Sequence, residues 1–239
     1  MAVITPILSI LFLLFTPILA NTEKTIFLAP ESIPIPSARS LLSDLHLDIL
    51  NPANGTLRTR LAAQFPTDAH PLGTATWFIL DALTPNQRYE VRVCWAAAQP
   101  TEFSLETFPL ATVRDTPELM ASLHAYSTSR RDRAQRQAVK DSNTAPNERE
   151  ASVLLLRILA AADYFTTDAS LMSNVPPVDV DIILDPFLFN VLPRSIAGTA
   201  CYIVGVAIAA YFLAGQIVTW IQGLIDADKK QQRDEKKRQ

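Results

Sequence analysis

The sequence predicts a mostly β domain with added helices, followed by one transmembrane α-helix. Six short runs between residues 24 and 108 are rich in β-branched, aromatic and leucine residues. Pro, Asn and Gly separate them, which is typical of strands joined by turns. Residues 195–225 form a stretch of 31 amino acids without a charge. About 20 apolar residues already suffice for a helix to cross the hydrocarbon core of a membrane.

Residues 1–20 are predicted to be a signal peptide. The segment is short and apolar, and it ends in the small residue Ala20 before the polar sequence NTEK. It carries no basic side chain, and Ile18 is large for its place two residues before the cut. An uncleaved anchor therefore stays open as an alternative. In either case residues 21–194 are expected to be translocated.

Residues 21–112 are predicted to form a lumenal β-sandwich. The predicted strands are 24–28, 45–50, 57–65, 74–80, 89–97 and 102–108. The sequence LTPNQRYEVRV resembles the approach to the penultimate strand of a fibronectin type III domain, in which the tyrosine, here Tyr89, hydrogen-bonds to backbone upstream. Its face of the strand should meet Trp77 in the core, while Glu90 and Arg92 point outward.

Residues 113–174 are predicted to be a helical and charged segment with a linker. TPE at 116–118 is typical of a helix start, and the run at 127–150 is rich in charge and expected to be solvated. The strongly apolar residues 151–165 are predicted to form a helix that is buried on most sides.

Residues 175–194 are predicted to form a membrane-proximal collar. Four prolines in this stretch exclude a long helix. Phe187, Leu188 and Phe189 are expected to be exposed and to dock a partner, because exposed apolar surface usually marks a contact.

The transmembrane helix 195–225 is expected to pack against another helix. Small residues recur every four positions, and Gln216 follows on much the same face. Such small residues let helices approach closely, and an amide in lipid seeks a partner on a neighbouring helix. The predicted docking residues of the helix are Ala197, Cys201, Gly205, Ala209 and Gln216.

Charge places the predicted domains on opposite sides of the membrane. The tail 226–239 carries six Lys or Arg residues, and the positive-inside rule assigns such a tail to the cytosol. The body is then lumenal, in a single-pass type I topology, and Asn54 in the sequon NGT is a candidate for glycosylation. Lys236 and Lys237 resemble a dilysine retrieval signal for the endoplasmic reticulum, although they could also be the basic flank of a helix.

No catalytic, cofactor-binding or metal-binding residues are predicted. His46, His70 and His124 lack the spacing of metal ligands, and the net charge of −3 argues against nucleic-acid binding. Asp179 and Asp181 spell the DxD of metal-dependent glycosyltransferases, but alternation with valines explains them as a strand edge. The free cysteine of the body, Cys94, is expected to pack in the fold.

Four stretches together resemble the fungal co-activator subunit of GPI mannosyltransferase II. They are the signal peptide, EKTIFLAP, GTATWFILDALTPNQRYEVRVCW, and DPFLFNVLPRS before the span. The resemblance implies a non-catalytic subunit in the endoplasmic reticulum membrane, partnered with a polytopic PIG-V-like mannosyltransferase that adds the second mannose to the GPI precursor. Two alternatives are a lumenal binding module, such as a cargo receptor or chaperone, and a glycosyltransferase built on the two aspartates.

Overall fold

The computed structural model of the chain describes residues 20–35, 45–137 and 149–238. The chain divides into two compact units, Met1–Val191 and Leu192–Gln239. The predicted signal peptide falls at residues 1–20, so all but its last residue lies outside the described part.

The first unit is built mainly from β-strands, as predicted. Its strands are β1 (Ala20–Leu28), β2 (Ile33–Ile35), β3 (Asp48–Leu50), β4 (Thr56–Leu61), β5 (Thr74–Leu83), β6 (Arg88–Ala96), β7 (Thr101–Pro109), β8 (Arg149–Ala162) and β9 (Val178–Leu188). Its helices are α1 (Leu110–Asp115), α2 (Pro117–Gln137) and α3 (Ala169–Ser173).

The strands form two sheets. In the first sheet β1, β6, β9 and β4 lie side by side and every pair is antiparallel. In the second sheet β8 lies between β5 on one side and β7 and β2 on the other, again antiparallel. The short β3 adds to β5 in parallel.

The two sheets pack face to face around one apolar core, as a sandwich. It includes β8 and β9, which lie beyond the bounds of 21–112 predicted for it. The first sheet contributes Tyr89, Val91 and Val93 from β6, and the second contributes Phe78 and Leu156. All five side chains are buried. Each large apolar side chain removed from water contributes about 1.5 to 3 kcal/mol, so this layer stabilises the unit substantially.

Tyr89 makes the corner contact that its motif predicts. The Thr84 backbone N–H donates to the Tyr89 Oη atom over 3.0 Å. The same hydroxyl donates to the Gln87 Oε1 atom over 3.1 Å. The hydrogen bond to upstream backbone is therefore confirmed, and it fixes the turn that leads into β6.

Trp77 lies in a second apolar cluster, away from Tyr89. Consecutive residues of β5 are buried, so both faces of the strand are covered. The Trp77 face packs under α1 and α2, against Val113 and Leu119, and its indole N–H donates to Ser122 Oγ over 3.2 Å. The expectation that Trp77 meets Tyr89 is wrong, because β5 presents Phe78 to that core.

The helix predicted for residues 151–165 is also wrong, because this segment forms most of β8. Leu154, Leu156 and Ile158 face the sandwich core. Val153 and Leu155 face the cluster beneath the helices. A strand buried on both faces loses the apolar–polar alternation that marks a strand, and its continuous apolar run cannot be told from a buried helix by pattern.

Glu90 and Arg92 lie on the outer face of the first sheet, as expected, but Glu90 is only 3% exposed there. Lys24 Nζ lies 2.9 Å from one of its carboxylate oxygens, and Arg92 lies 3.3 Å from the other. Two cations thus compensate the buried carboxylate, and such pairing is what makes a buried charge tolerable.

The second unit consists of β10 (Leu192–Pro193) and the long helix α4 (Arg194–Arg238). Among the described residues, Arg194–Asp226 of α4 is the one helical segment that is long and apolar enough to cross a membrane. The predicted fold class, a mostly β domain with a few helices and one C-terminal apolar helix, is confirmed. The helix continues beyond the span and includes most of the predicted tail.

Candidate partner-binding surfaces

The helix α4 carries the predicted row of small residues on an open surface. We call Ala197, Cys201, Gly205 and Ala209 the small-residue row. Each lies four positions after the last, which advances about 40° round an α-helix and keeps the four on one strip. Cys201, Gly205 and Ala209 are exposed and Ala197 is half-buried, and a Cβ built on Gly205 would meet no atom within 4 Å. The row offers backbone close to its surface, as helix packing in lipid requires.

Gln216 extends the same strip. It follows Ala209 by seven positions, close to two full turns of helix, and it is exposed. Thr219, three residues further on, instead bonds its hydroxyl to carbonyl oxygens of its own helix, those of Gly215 and Gln216.

The three apolar residues at the end of β9 differ sharply in exposure. Phe187 is only 6% exposed, and the Arg88 guanidinium lies 5.9 Å from its ring centroid. The expectation that Phe187 is exposed is therefore wrong, because β9 extends to Leu188 and seats Phe187 beside β6. Leu188 is 39% exposed and Phe189 is 97% exposed, as expected.

Residues 188–191 form a tight turn, which we call the Phe189 turn. Its two central residues, Phe189 and Asn190, have φ values of 52° and 58°. The Val191 N–H donates to the Leu188 carbonyl oxygen over 3.1 Å. Two successive left-handed residues are the mark of a type I′ turn, in which asparagine or glycine is usual and phenylalanine is not. A left-handed residue other than glycine costs about 1 to 3 kcal/mol.

Asn190 ties this turn to the start of β6 and to the loop before it. Its Oδ1 atom accepts from the Arg88 N–H over 2.8 Å, and its Nδ2 atom donates to the Asn86 carbonyl oxygen over 3.1 Å. Sequence analysis missed this contact. The signal that could have found it is the asparagine that follows Phe189, since asparagine tolerates the left-handed conformation better than most residues.

Asn54 lies exposed in the turn between β3 and β4. Its backbone N–H donates to the Asn51 Oδ1 atom over 2.7 Å. The next residue, Gly55, packs its backbone so tightly that a Cβ there would lie 2.4 Å from the Leu184 carbonyl oxygen. The sequon therefore sits on a well-defined surface turn, while its glycosylation stays a prediction.

Asp179 and Asp181 lie on the outer face of β9 and pair with arginines of β4. The Arg58 guanidinium donates to both oxygens of Asp181, over 2.7 and 2.8 Å, and Arg60 lies 3.3 Å from Asp179. The hydrogen bond from Arg58 lowers the pKa of Asp181. The strand lies between β4 and β6, so the edge position expected for these residues is wrong. Both carboxylates serve cross-strand ion pairs in this fold.

The remaining polar candidates lie on separate elements. His46 lies in the turn before β3, His70 in the loop before β5, and His124 on α2. Within the described ranges no group of three His, Cys, Asp or Glu side chains is arranged to hold a metal ion. Cys94 and Cys201 are both free thiols. Cys94 is half-buried and accepts a hydrogen bond from Thr22 Oγ1 over 3.5 Å.

Lys236 and Lys237, the predicted retrieval signal, fall within the last turn of α4. Their reading as a signal stays a prediction, because a receptor recognises such a sequence and the fold of the chain does not test it.

Comparison with known proteins identifies one related family. A family model described as GPI-Mannosyltransferase II co-activator matches residues 11–145. The matched part includes β1 to β7 and both helices that cover the second sheet. No curated protein and no solved structure matches the chain.

Proposed function

The chain belongs to the Pga1 family of GPI-mannosyltransferase II co-activators, and from this membership we propose that it is a non-catalytic subunit of that enzyme in the endoplasmic reticulum. The partner is a polytopic, PIG-V-like mannosyltransferase. It transfers the second mannose from dolichyl phosphate mannose to the GPI precursor. The family match over residues 11–145 is the observation that carries this proposal.

The surface of α4 supports a role as a docking subunit. In lipid, helices associate through close van der Waals packing rather than through the hydrophobic effect. The small-residue row would let a helix of the partner approach the α4 backbone, and Gln216 would supply a hydrogen bond across that interface. Single atom contacts contribute only about 0.1 to 0.2 kcal/mol each, but many of them together can decide association.

The predicted topology completes the proposal. The sandwich is lumenal, the end of α4 is cytosolic, and Lys236 and Lys237 return escaped protein to the endoplasmic reticulum. Asn54 can report this orientation, because it is exposed and a glycan is added only where the asparagine is accessible in the lumen. Loss of a glycan in an Asn54→Gln variant, seen as faster gel migration, would verify the orientation.

The ion pairs of β9 support the non-catalytic part of the proposal. A DxD that binds a nucleotide sugar through a metal ion needs carboxylate oxygens free to coordinate it. Here Arg58 engages both oxygens of Asp181. Replacing Asp179 and Asp181 with Ala should leave mannosylation intact as long as the complex still assembles. Lost mannosylation in an assembled complex would instead favour a glycosyltransferase.

The proposed function is tested by removing the chain from cells and analysing their GPI lipids. An intermediate with one mannose should accumulate, and the full chain should restore its conversion. The mannosyltransferase should co-purify with the restored chain in mild detergent. A broad defect in secretion without this lipid would contradict the proposal and favour the lumenal binding module.

A further inference from the structure

The Phe189 turn exposes an aromatic ring in a strained backbone conformation. A bulky residue with positive φ is an outlier in protein structures. Asn190 tolerates this conformation, so the strain falls on Phe189, whose φ is 52°. Burial of the ring does not offset the strain, because 97% of the residue is exposed. The fold therefore maintains an unfavourable arrangement that yields no packing within the described part of the chain.

Hydrogen bonds hold the Phe189 turn in this conformation. Both ends of the Asn190 amide bond to neighbouring backbone, at Arg88 and Asn86, over 2.8 and 3.1 Å, and the turn closes on itself through Val191 N–H. A strained residue persists only where its surroundings over-determine it, and such residues cluster at ligand-binding sites. The turn fixes the backbone from which the Phe189 side chain projects, so the ring is presented outward as a preformed contact point.

The tip of the turn is apolar on both sides of the ring. Leu188 is 39% and Val191 is 77% exposed, and residues 186–193 contain no charged side chain. The polar side chain of the turn, Asn190, is directed back to the start of β6 and to the loop before it. The tip thus combines three exposed apolar side chains with no charged side chain.

We propose that Leu188, Phe189 and Val191 form a membrane-inserting tip that enters the interfacial region of the lipid bilayer. Phe189 precedes Arg194, the first residue of α4, by five positions in the sequence. Such a short connection to a membrane-spanning helix limits how far the tip can lie from the bilayer. Apolar and aromatic side chains are favoured at the boundary between headgroups and acyl chains. The inference depends on α4 spanning a membrane and does not depend on the co-activator role.

Lipid is favoured over a protein partner by the shape of the tip. A protein hot spot usually lies in a well-packed contact from which a surrounding ring of residues excludes water. The Phe189 ring instead projects from a narrow turn of four residues, with nearly all of its surface open. A bilayer accepts such a convex apolar tip without requiring a complementary pocket.

Fluorescence quenching by brominated lipids tests the proposal on the full chain. The Phe189→Trp variant is made in a Trp220→Phe background, since Trp220 lies in the span and would itself be quenched. The two other tryptophans, Trp77 and Trp95, are buried in the first unit. The chain is reconstituted into phosphatidylcholine vesicles, with or without bromine on the acyl chains near the headgroup. We expect brominated lipid to quench the added tryptophan and its emission to lie at shorter wavelength than in water.

Phe165→Trp in the same background is the matched control. Phe165 is 87% exposed and lies in the loop after β8, away from the end of β9 that bears the tip. It should emit like a tryptophan in water and should not be quenched by brominated lipid. If Phe189→Trp does not fold, Val191→Trp probes the same tip, because Val191 is exposed and has no positive φ.

Asn190→Ala tests whether the turn positions the ring. In the Phe189→Trp background it should weaken quenching, because the two hydrogen bonds that hold the turn are lost.

Equal quenching at positions 165 and 189, or none at positions 189 and 191, would overturn the proposal. So would a tip that is shielded only when a co-purified mannosyltransferase is present, since that result would assign the turn to a protein partner. Each of these outcomes is read without mannosyltransferase activity and is therefore separate from the test of the proposed function.

Discussion

Replacing Tyr89 with Phe removes one buried oxygen and tests the tyrosine corner. Tyr89 is fully buried, and its Oη atom joins Thr84 to Gln87 through two hydrogen bonds. A neutral hydrogen bond contributes about 0.5 to 1.5 kcal/mol net, and a buried group left unpaired costs about 1 to 3 kcal/mol. Thr84 itself is exposed, so water can partly replace the lost partner. We therefore expect the free energy of unfolding to fall by about 1 kcal/mol or slightly more.

The loss is measured by urea unfolding of the full chain in mild detergent. The emission of Trp77 and Trp95 reports the first unit, and a Trp220→Phe background removes the signal from α4. Tyr164→Phe is the control, because that hydroxyl donates to the Leu171 carbonyl oxygen in an exposed position. Its effect should stay within about 0.5 kcal/mol. The reasoning would be refuted if both variants had the same effect, or if Tyr89→Phe unfolded like the unchanged chain.

Three further predictions follow from individual contacts. Trp77→Ala should lower the free energy of unfolding by about 3 to 5 kcal/mol, because it empties the cluster beneath the helices; a loss below about 1 kcal/mol would contradict that packing. Arg58 holds the pKa of Asp181 below its ordinary value. Their ion pair therefore stabilises the fold fully at a pH above the ordinary pKa of an aspartate. That stabilisation is lost as the pH falls through the lowered pKa of Asp181. The difference in urea midpoint between the unchanged chain and Arg58→Ala should therefore shrink below about pH 4, and a constant difference would count against the pair. Replacing Lys236 and Lys237 with Ser should let the chain leak beyond the endoplasmic reticulum in cells lacking its partner, as seen by microscopy, whereas an unchanged location would dismiss the signal.

Local motifs made part of the fold predictable. The tyrosine corner depends on a few adjacent residues, and Tyr89 indeed bonds to the Thr84 backbone. The apolar helix was predictable because its 31 uncharged residues are mostly apolar and exceed the roughly 20 that a helix needs to cross the hydrocarbon core. In both cases the physical requirement is contained in one short stretch of sequence.

Features that depend on tertiary neighbours were not predictable in this way. The run that forms β8 is apolar throughout because one face meets the sandwich core and the other meets the helices. Its pattern therefore resembles that of a buried helix. Trp77 was assigned to the wrong core for the same reason, since β5 is buried on both faces.

For the predicted docking residues, too, local patterns could be predicted from the sequence and tertiary contacts could not. The small-residue row was visible in the sequence because its spacing matches the helical period, and α4 indeed leaves Cys201, Gly205 and Ala209 exposed. The burial of Phe187 and the exposure of Phe189 could not be separated by composition. Their exposure differs because Phe187 still belongs to β9, whereas Phe189 lies in the turn beyond the end of the strand, which Asn190 holds in place.

The most direct test of the co-activator account is to block the small-residue row and follow the partner and the lipid in the same cells. Gly205→Leu fills the open space at the centre of the row without a clash inside the chain. Ala207→Leu adds bulk two positions further on, about 200° round the helix, and is the matched control. The account predicts that Gly205→Leu releases the mannosyltransferase during purification and accumulates the one-mannose GPI intermediate, whereas Ala207→Leu does neither. A Gly205→Leu chain that retains its partner with normal lipids would contradict it.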